Sequence, residues 1–372
     1  MLPRSLFTIF AIACCGIASA AEPLKFTEAD KLRWYDIRQL GVEGQGWKEA
    51  DCKAPYDRLP AKAESTVREA VWNLSRNSAG MCVRFVTDAP ALSARWTVTS
   101  DKLAMPHMPA TGVSGLDLYA RNDQGHWRWV AVAQPKAEGK NQTAALAAGI
   151  KPGKREYLIY LPLYNGVSSV EIGVPMANTL EDAPDYAPVK MKPVVFYGTS
   201  ITHGACASRP GMVHTAMLQR RYDRPVINLG FSGNGKMEPE VTALLTEIDA
   251  AVYVIDCCPN LSGADTAKLT KPLVEQLRKA RPETPIVLVE DRRYTDAWLI
   301  TSKGERNDGN HQALKTAFDQ LVADGVKHLS YITGDDLLGD DGDGAVDSSH
   351  PNDLGFARQA DAFAKVLDKL LR

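Results

Sequence analysis

Two hydrophobic rhythms divide the chain. From about Ala21 to Val174 apolar and polar residues mostly alternate with a period of two, in short runs at 81–87, 94–99, 115–121, 127–132, 156–161 and 167–174, and Gly, Pro, Asn and Asp punctuate the gaps. Many short strands with few helical stretches predict an all-β sandwich or jelly roll over residues 21–175. Residues 176–192 follow neither period and read as a linker. Beyond them apolar strand-like runs at Val194–Tyr197, Val226–Leu229, Ala250–Ile255, Ile286–Val289 and His328–Ile332 alternate with helical patterns. The clearest helices are expected at Met212–Tyr222, Pro239–Thr246, Ala264–Ala280, Gly309–Ala323 and Asn352–Leu371. Strands alternating with helices predict βαβ units and a parallel sheet covered on both faces, a second domain over residues 193–372. In such sheets ligands sit outside the carboxyl ends of the strands, which fixes where chemistry is to be sought.

Composition narrows the classes of function. Lys+Arg number 43 against 45 Asp+Glu, so the basic excess of a nucleic-acid binder is missing. Residues 1–20 have the grammar of an export signal: Arg4, an apolar stretch from Leu6 to about Ile17, and small residues at Ala18-Ser19-Ala20. Periplasmic or extracellular residence is the expectation, and no run is long enough to span a membrane. Removing the leader leaves Cys52, Cys82, Cys206, Cys257 and Cys258. Pairs Cys52–Cys82 and Cys206 with Cys257 or Cys258 stand open beside the alternative of buried free thiols. Without a CxxC spacing, no metal site is expected. Asp340-Asp-Gly-Asp-Gly lacks the later ligands of a calcium loop, because Ala345 and Asn352 stand at those positions; it reads as an acidic turn.

Four short signals fall at the ends of different predicted strands. Gly198-Thr-Ser200 follows the first, where a serine meets the outward-pointing N–H groups of a helix start. Gly230-Phe-Ser-Gly233-Asn-Gly235 follows the second, with Gly233 a candidate backbone donor to an oxyanion. Cys258-Pro-Asn260 follows the third, and Asn260 is a neutral donor at the same sheet edge. Asp347-Ser-Ser-His350 precedes the last helix, and a carboxylate three residues from an imidazole can fix its tautomer. Seven histidines compete for the role of base, and only His350 combines an Asp at this spacing with a loop after a strand. His203, one turn beyond Ser200, reads as a packed surface residue. The segments Gly204–Gly211 and Gly339–Ser349 are small or polar, so neither offers an acyl groove.

In order and type these blocks resemble the SGNH (GDSL-type) hydrolase superfamily. Ser114-Gly-Leu-Asp-Leu-Tyr119 and Tyr160-Leu-Pro-Leu-Tyr-Asn-Gly166 resemble the Gly-x-Asp-Leu-Tyr β-rich domain that precedes SGNH domains in some secreted bacterial esterases. Two positions depart from the pattern: Thr199 stands where the family has Asp, and Cys258-Pro-Asn260-Leu261 replaces Gly-x-Asn-Asp. The resemblance implies a three-layer, flavodoxin-like α/β hydrolase domain behind a jelly roll or β-sandwich. It implies Ser200 as nucleophile, Asp347 and His350 as the rest of a triad, and Ser200, Gly233 and Asn260 as the oxyanion hole. It also implies a short-chain, acetyl-preferring esterase acting on a glycan or small ester, without metal, cofactor or nucleic-acid partner. A lipase or thioesterase for longer chains, and a non-catalytic carbohydrate-binding protein, are the alternatives.

Overall fold

The computed structural model describes residues 25–27, 31–136 and 138–371; the expected export signal lies outside them. The N-terminal half contains β1 (Lys25–Thr27), β2 (Leu32–Asp36), β3 (Val42–Glu43), α1 (Glu69–Ser75), β4 (Cys82–Thr87), β5 (Ala91–Val98), α2 (Ala110–Val113), β6 (Leu116–Arg121), β7 (Trp127–Ala133), β8 (Asn141–Ala148), β9 (Arg155–Tyr160), β10 (Val167–Pro175) and β11 (Glu181–Asp182). They form two antiparallel sheets, ordered β1-β2-β10-β5-β8 and β11-β4-β9-β6-β7, with β3 also on β4. In β5 the alternation is strict: Leu92, Ala94, Trp96 and Val98 point inward. They meet Val83, Phe85, Leu118 and Ile159 of the other sheet in one core. Strands β4, β6 and β9 are buried on both faces, because their outer side (Cys82, Tyr119, Leu158, Tyr160) packs against the second half of the chain.

That half holds β12 (Val194–Gly198), α3 (Ser200–His203), α4 (His214–Tyr222), β13 (Val226–Gly230), α5 (Pro239–Leu245), β14 (Val252–Asp256), α6 (Gly263–Ala280), β15 (Ile286–Val289), α7 (Thr301–Ala323), β16 (Leu329–Ile332) and α8 (Asp353–Leu370). The sheet is parallel, ordered β13-β12-β14-β15-β16. Residue parity sorts its two faces: Val195, Tyr197, Tyr253 and Ile255 pack with α5, α6 and α7, while Val194, Phe196, Val252 and Val254 pack with α4 and α8. This is the expected three-layer α/β architecture behind a β-sandwich. The chain leaves β12 for one side and then the other, so the switch point lies at the end of β12.

Three differences from the sequence reading have physical causes. A 3-10 turn at Ala61–Ser65 and helix α1 interrupt the expected all-β half, and Leu59, Ala63, Val67, Val71 and Trp72 join the core of the α/β half. They cover the edge strand β13, whose Asn228 and Gly230 carbonyls accept from the buried Arg58 guanidinium at 3.1 and 2.7 Å. Helix α7 begins at Thr301 rather than Gly309, because the residues it buries early are polar. The five cysteines described are free thiols, four of them buried, so the candidate disulfide pairs are not formed. The acidic turn is held by Arg358, which donates to Asp341 at 2.6 and 2.8 Å, and no metal-binding group of His, Cys, Asp or Glu occurs among the described residues.

The Gly-x-Asp-Leu-Tyr signature is a joint between the halves. Asp117 is fully buried and accepts from Trp129 Nε1 at 2.9 Å, Arg209 Nη1 at 2.8 Å and Gly211 N at 2.8 Å. Tyr119 OH accepts from the same Arg209, and Tyr160 OH donates to the carbonyl of Ala216 in α4. A bonded carboxylate in an apolar interface fixes orientation as well as contact.

Candidate active site

Strand β12 ends at Gly198, and a side chain there would strike Thr202 and the Asp256 carbonyl. The strand can therefore turn at once into α3. Thr199 caps that helix, its hydroxyl accepting from Ile201 N at 3.3 Å. Ser200, the first helical residue, thus has an N–H with no intrahelical partner, and the residue is buried, 8% exposed.

The last loop meets it. Ser200 Oγ lies 2.8 Å from His350 Nε2, and His350 Nδ1 lies 2.7 Å from Asp347 Oδ2. A carboxylate can only accept, so Nδ1 carries the ring proton and Nε2 is free to accept from Ser200. The other Asp347 oxygen accepts from the backbone N–H of His350 at 2.7 Å and Ser349 at 3.1 Å. Partial burial opposes the charge on Asp347, but these bonds from His350 and Ser349 outweigh it and hold the carboxyl below its ordinary range. The loop is closed on itself by Val346 N to His350 O at 2.9 Å.

The two glycine- and asparagine-bearing turns converge on the same point. Phe231 N donates to Gly198 O at 3.0 Å, and Gly235 packs so closely on that carbonyl that no side chain fits. Gly233 lies between them with φ +67°, a left-handed conformation that glycine adopts without strain. Asn260 Nδ2 donates to Gly235 O at 3.3 Å, which brings its amide beside the Gly233 turn. All five sequence-predicted residues are thus gathered at the carboxyl edge of the sheet.

Other residues fall differently. His203 is fully buried rather than at the surface: Nε2 pairs with Leu163 O at 2.8 Å, and its ring stacks on Tyr164 with centroids 4.1 Å apart. Burial holds it well below the usual histidine range, so it is neutral. Tyr164 OH donates to Ser200 O at 3.3 Å, so the second β-domain motif supports the serine turn. Asp308–His311 repeats the Asp-x-x-His spacing within α7, but Asp308 bonds Arg293 and His311 pairs with Asp291 O.

Sequence reasoning missed three neighbours. His107, exposed on a loop of the β-sandwich, has its ring centroid 6.4 Å from that of His350. Nearby Met108 is buried with Ile201, Leu163 and Phe356, which anchors the loop on α3 and α8. Asp256, the last residue of β14, accepts from Thr202 Oγ1 at 2.9 Å beneath the serine turn. Burial pushes its carboxyl up to about 7, against the pull of that hydroxyl. Finally, Trp298, Leu299 and Ile300 form an exposed apolar run, Trp298 being 84% exposed. The run belongs to a loop fastened to the His350 loop by Thr295 N donating to Ser348 O at 3.0 Å. Apolar surface is therefore present next to the site, on a segment whose sequence neighbours are charged.

Comparison with known proteins bears on the family and the fold. A family model of GDSL-like lipases/acylhydrolases matches residues 191–368, and the GxDLY model, the N-terminus of SGNH-hydrolase-type esterases, matches residues 32–180. A protein from Bacteroides ovatus provisionally assigned as a GDSL-like lipase is 33% identical, with a TM-score of 0.85 over 91% of this chain and 98% of its own. The salicylyl-acyltransferase SsfX3 of a tetracycline biosynthetic pathway shares the fold at 18% identity and a TM-score of 0.71, over 91% of this chain and 98% of its own. An acetyl xylan esterase, Est2A, from Butyrivibrio proteoclasticus does so at 11% identity and a TM-score of 0.54, over 91% of this chain and 99% of its own. No protein of curated function matches the sequence. The chain belongs to the GDSL-like lipase/acylhydrolase family, the SGNH hydrolases, and carries the GxDLY domain of SGNH-type esterases ahead of its hydrolase domain.

Proposed function

We propose that the protein is an exported serine esterase that removes short acyl groups, acetyl first, from a polysaccharide or oligosaccharide. The observation that carries this reading is the unbroken hydrogen-bonded chain Ser200–His350–Asp347. His350 Nε2 takes the Ser200 proton as Oγ attacks the ester carbonyl. The tetrahedral oxyanion is received by the N–H groups of Ser200 and Gly233 and the Asn260 amide. Asp347 stabilises the imidazolium, which then protonates the departing alcohol. Water, deprotonated by His350, attacks the acyl-enzyme and releases the acid.

Two features support a glycan on the alcohol side. The β-sandwich supplies a wall at the rim through His107. The acetyl xylan esterase of like fold acts on such an ester. The exposed Trp298-Leu299-Ile300 run favours a second reading, a lipase or thioesterase whose longer acyl chain lies along that loop. Purified protein incubated with a chromogenic acetyl ester and with acetylated xylan tests the first reading. Acetate release from both is expected. Hydrolysis of neither, with the protein folded, would leave a carbohydrate-binding role instead. Cell fractionation tests export, with the processed chain expected outside the cytoplasm.

A further inference from the structure

Behind the two loops that meet at Ser200 lies a polar cluster that no motif announces. Asp291 stands just beyond the end of β15 and is completely buried. One of its carboxylate oxygens accepts from Arg292 Nη1. The other accepts from Arg306 Nη1 at 2.5 Å and Asn307 Nδ2 at 3.3 Å. Each arginine reaches on to a different part of the site. Arg292, itself buried, donates through Nε to Ser349 O at 3.1 Å and through Nη2 to Ser349 Oγ. Ser349 is the residue between the Asp347 backbone-binding turn and His350. Arg306 donates through Nη2 to Pro259 O at 3.0 Å and Leu261 O at 3.2 Å, the carbonyls on either side of Asn260. Both guanidinium groups also lie over the Tyr294 ring, at 4.2 and 5.6 Å from its centroid.

We propose that Asp291 is a positioning residue that sets the general-base loop through Arg292 and the oxyanion turn through Arg306. This rests on the esterase reading above. Two guanidinium groups brought this close repel, and a carboxylate that accepts from both turns repulsion into a fixed fork. Arg306 ends on two backbone carbonyls and Arg292 on the carbonyl and hydroxyl of Ser349, so each holds main-chain geometry. The distance from Asn260 to Ser200 and the distance from His350 to Ser200 then depend on the same buried group. A displacement of an ångström at either costs on the order of 10²-fold in rate.

The test is a double-mutant cycle on purified enzyme with a chromogenic acetyl ester. Arg306→Ala, at a half-exposed position, should lower kcat roughly 10- to 100-fold with KM little changed. In an Asn260→Ala background the same substitution should cost less than about 3-fold, because its effect runs through the missing amide. Arg292→Lys should lower kcat in both backgrounds, since an ammonium cannot serve Asp291 and both Ser349 atoms together. Asp291→Asn should show both losses where it folds, and the arginine variants decide the matter where it does not. Independent, multiplicative effects of Arg306→Ala and Asn260→Ala would overturn the proposal, as would losses confined to KM. Ser200→Ala measured alongside separates the two claims. Activity surviving it overturns the Ser200 triad reading and this proposal with it; activity lost, with multiplicative effects in the cycle, overturns this proposal alone.

Discussion

Asp256→Asn is a perturbation whose sign and size follow from the site. Asp256 lies at the end of β14, and its carboxyl accepts from the Thr202 hydroxyl at 2.9 Å. Burial raises the folded-state carboxyl from 3.8 to about 7, with Thr202 pulling it down, Asp291 pushing it up and Arg292 pulling it down again. The folded protein therefore keeps a proton that the unfolded chain releases near pH 4. Stability from this group is fully present below about pH 4 and is lost as pH rises through about 7. At 1.36 kcal/mol per pH unit, the full loss is about 4 kcal/mol, and about 3 kcal/mol of it falls between pH 5 and pH 8.5. Asparagine keeps the shape and the acceptor without the titration. Urea unfolding of wild type and Asp256→Asn at both pH values should therefore show the variant gaining on wild type by up to this amount at the higher pH. A stability difference that stays constant within about 0.5 kcal/mol, or that moves the other way, would refute a protonated Asp256 beneath the serine turn.

Two further outcomes follow from the geometry. Asn260→Ala should lower kcat by roughly 10²–10³ with KM nearly unchanged, because the oxyanion exists only in the transition state; steady-state kinetics on acetyl esters check this, and a pure KM effect would make Asn260 a substrate-binding residue. Across acetate, butyrate and octanoate esters the rate should fall steeply beyond two or three carbons. Each CH₂ that did find apolar cover would instead add about 0.8 kcal/mol. Octanoate cleaved faster than acetate, with Trp298→Ala abolishing the gain, would move the assignment to the longer-chain reading.

How much of this was legible in the residues depends on how local the physics is. Four of the five parallel strands, β12 to β15, are fully buried and mostly apolar runs with few competing readings, and Ser200, Gly233, Asn260 and Asp347–His350 each sit within a few residues of a strand end or helix start. Local order sufficed for them. The start of α7 was hidden because Asn307, Asn310 and His311 turn inward to serve the loops of the site, which erases the apolar periodicity. Leu59, Ala63, Val67 and Val71 do recur every four residues, yet only the folded chain shows that their partner is the edge strand β13 of the other half. His203 was misplaced for a similar reason: its cover comes from Leu163 and Tyr164, forty residues upstream in the β-sandwich. His107 and the Asp291 cluster reach the site through tertiary contacts alone, and no spacing rule points to them.

The central claim is that Ser200 is the nucleophile, and replacing it tests that claim most directly. Turnover of a chromogenic acetyl ester by Ser200→Ala should fall roughly 10⁴- to 10⁶-fold, with unfolding behaviour close to wild type, because the group lost is a single hydroxyl at a helix start. A folded Ser200→Ala protein that keeps more than about a tenth of the wild-type rate would contradict the account.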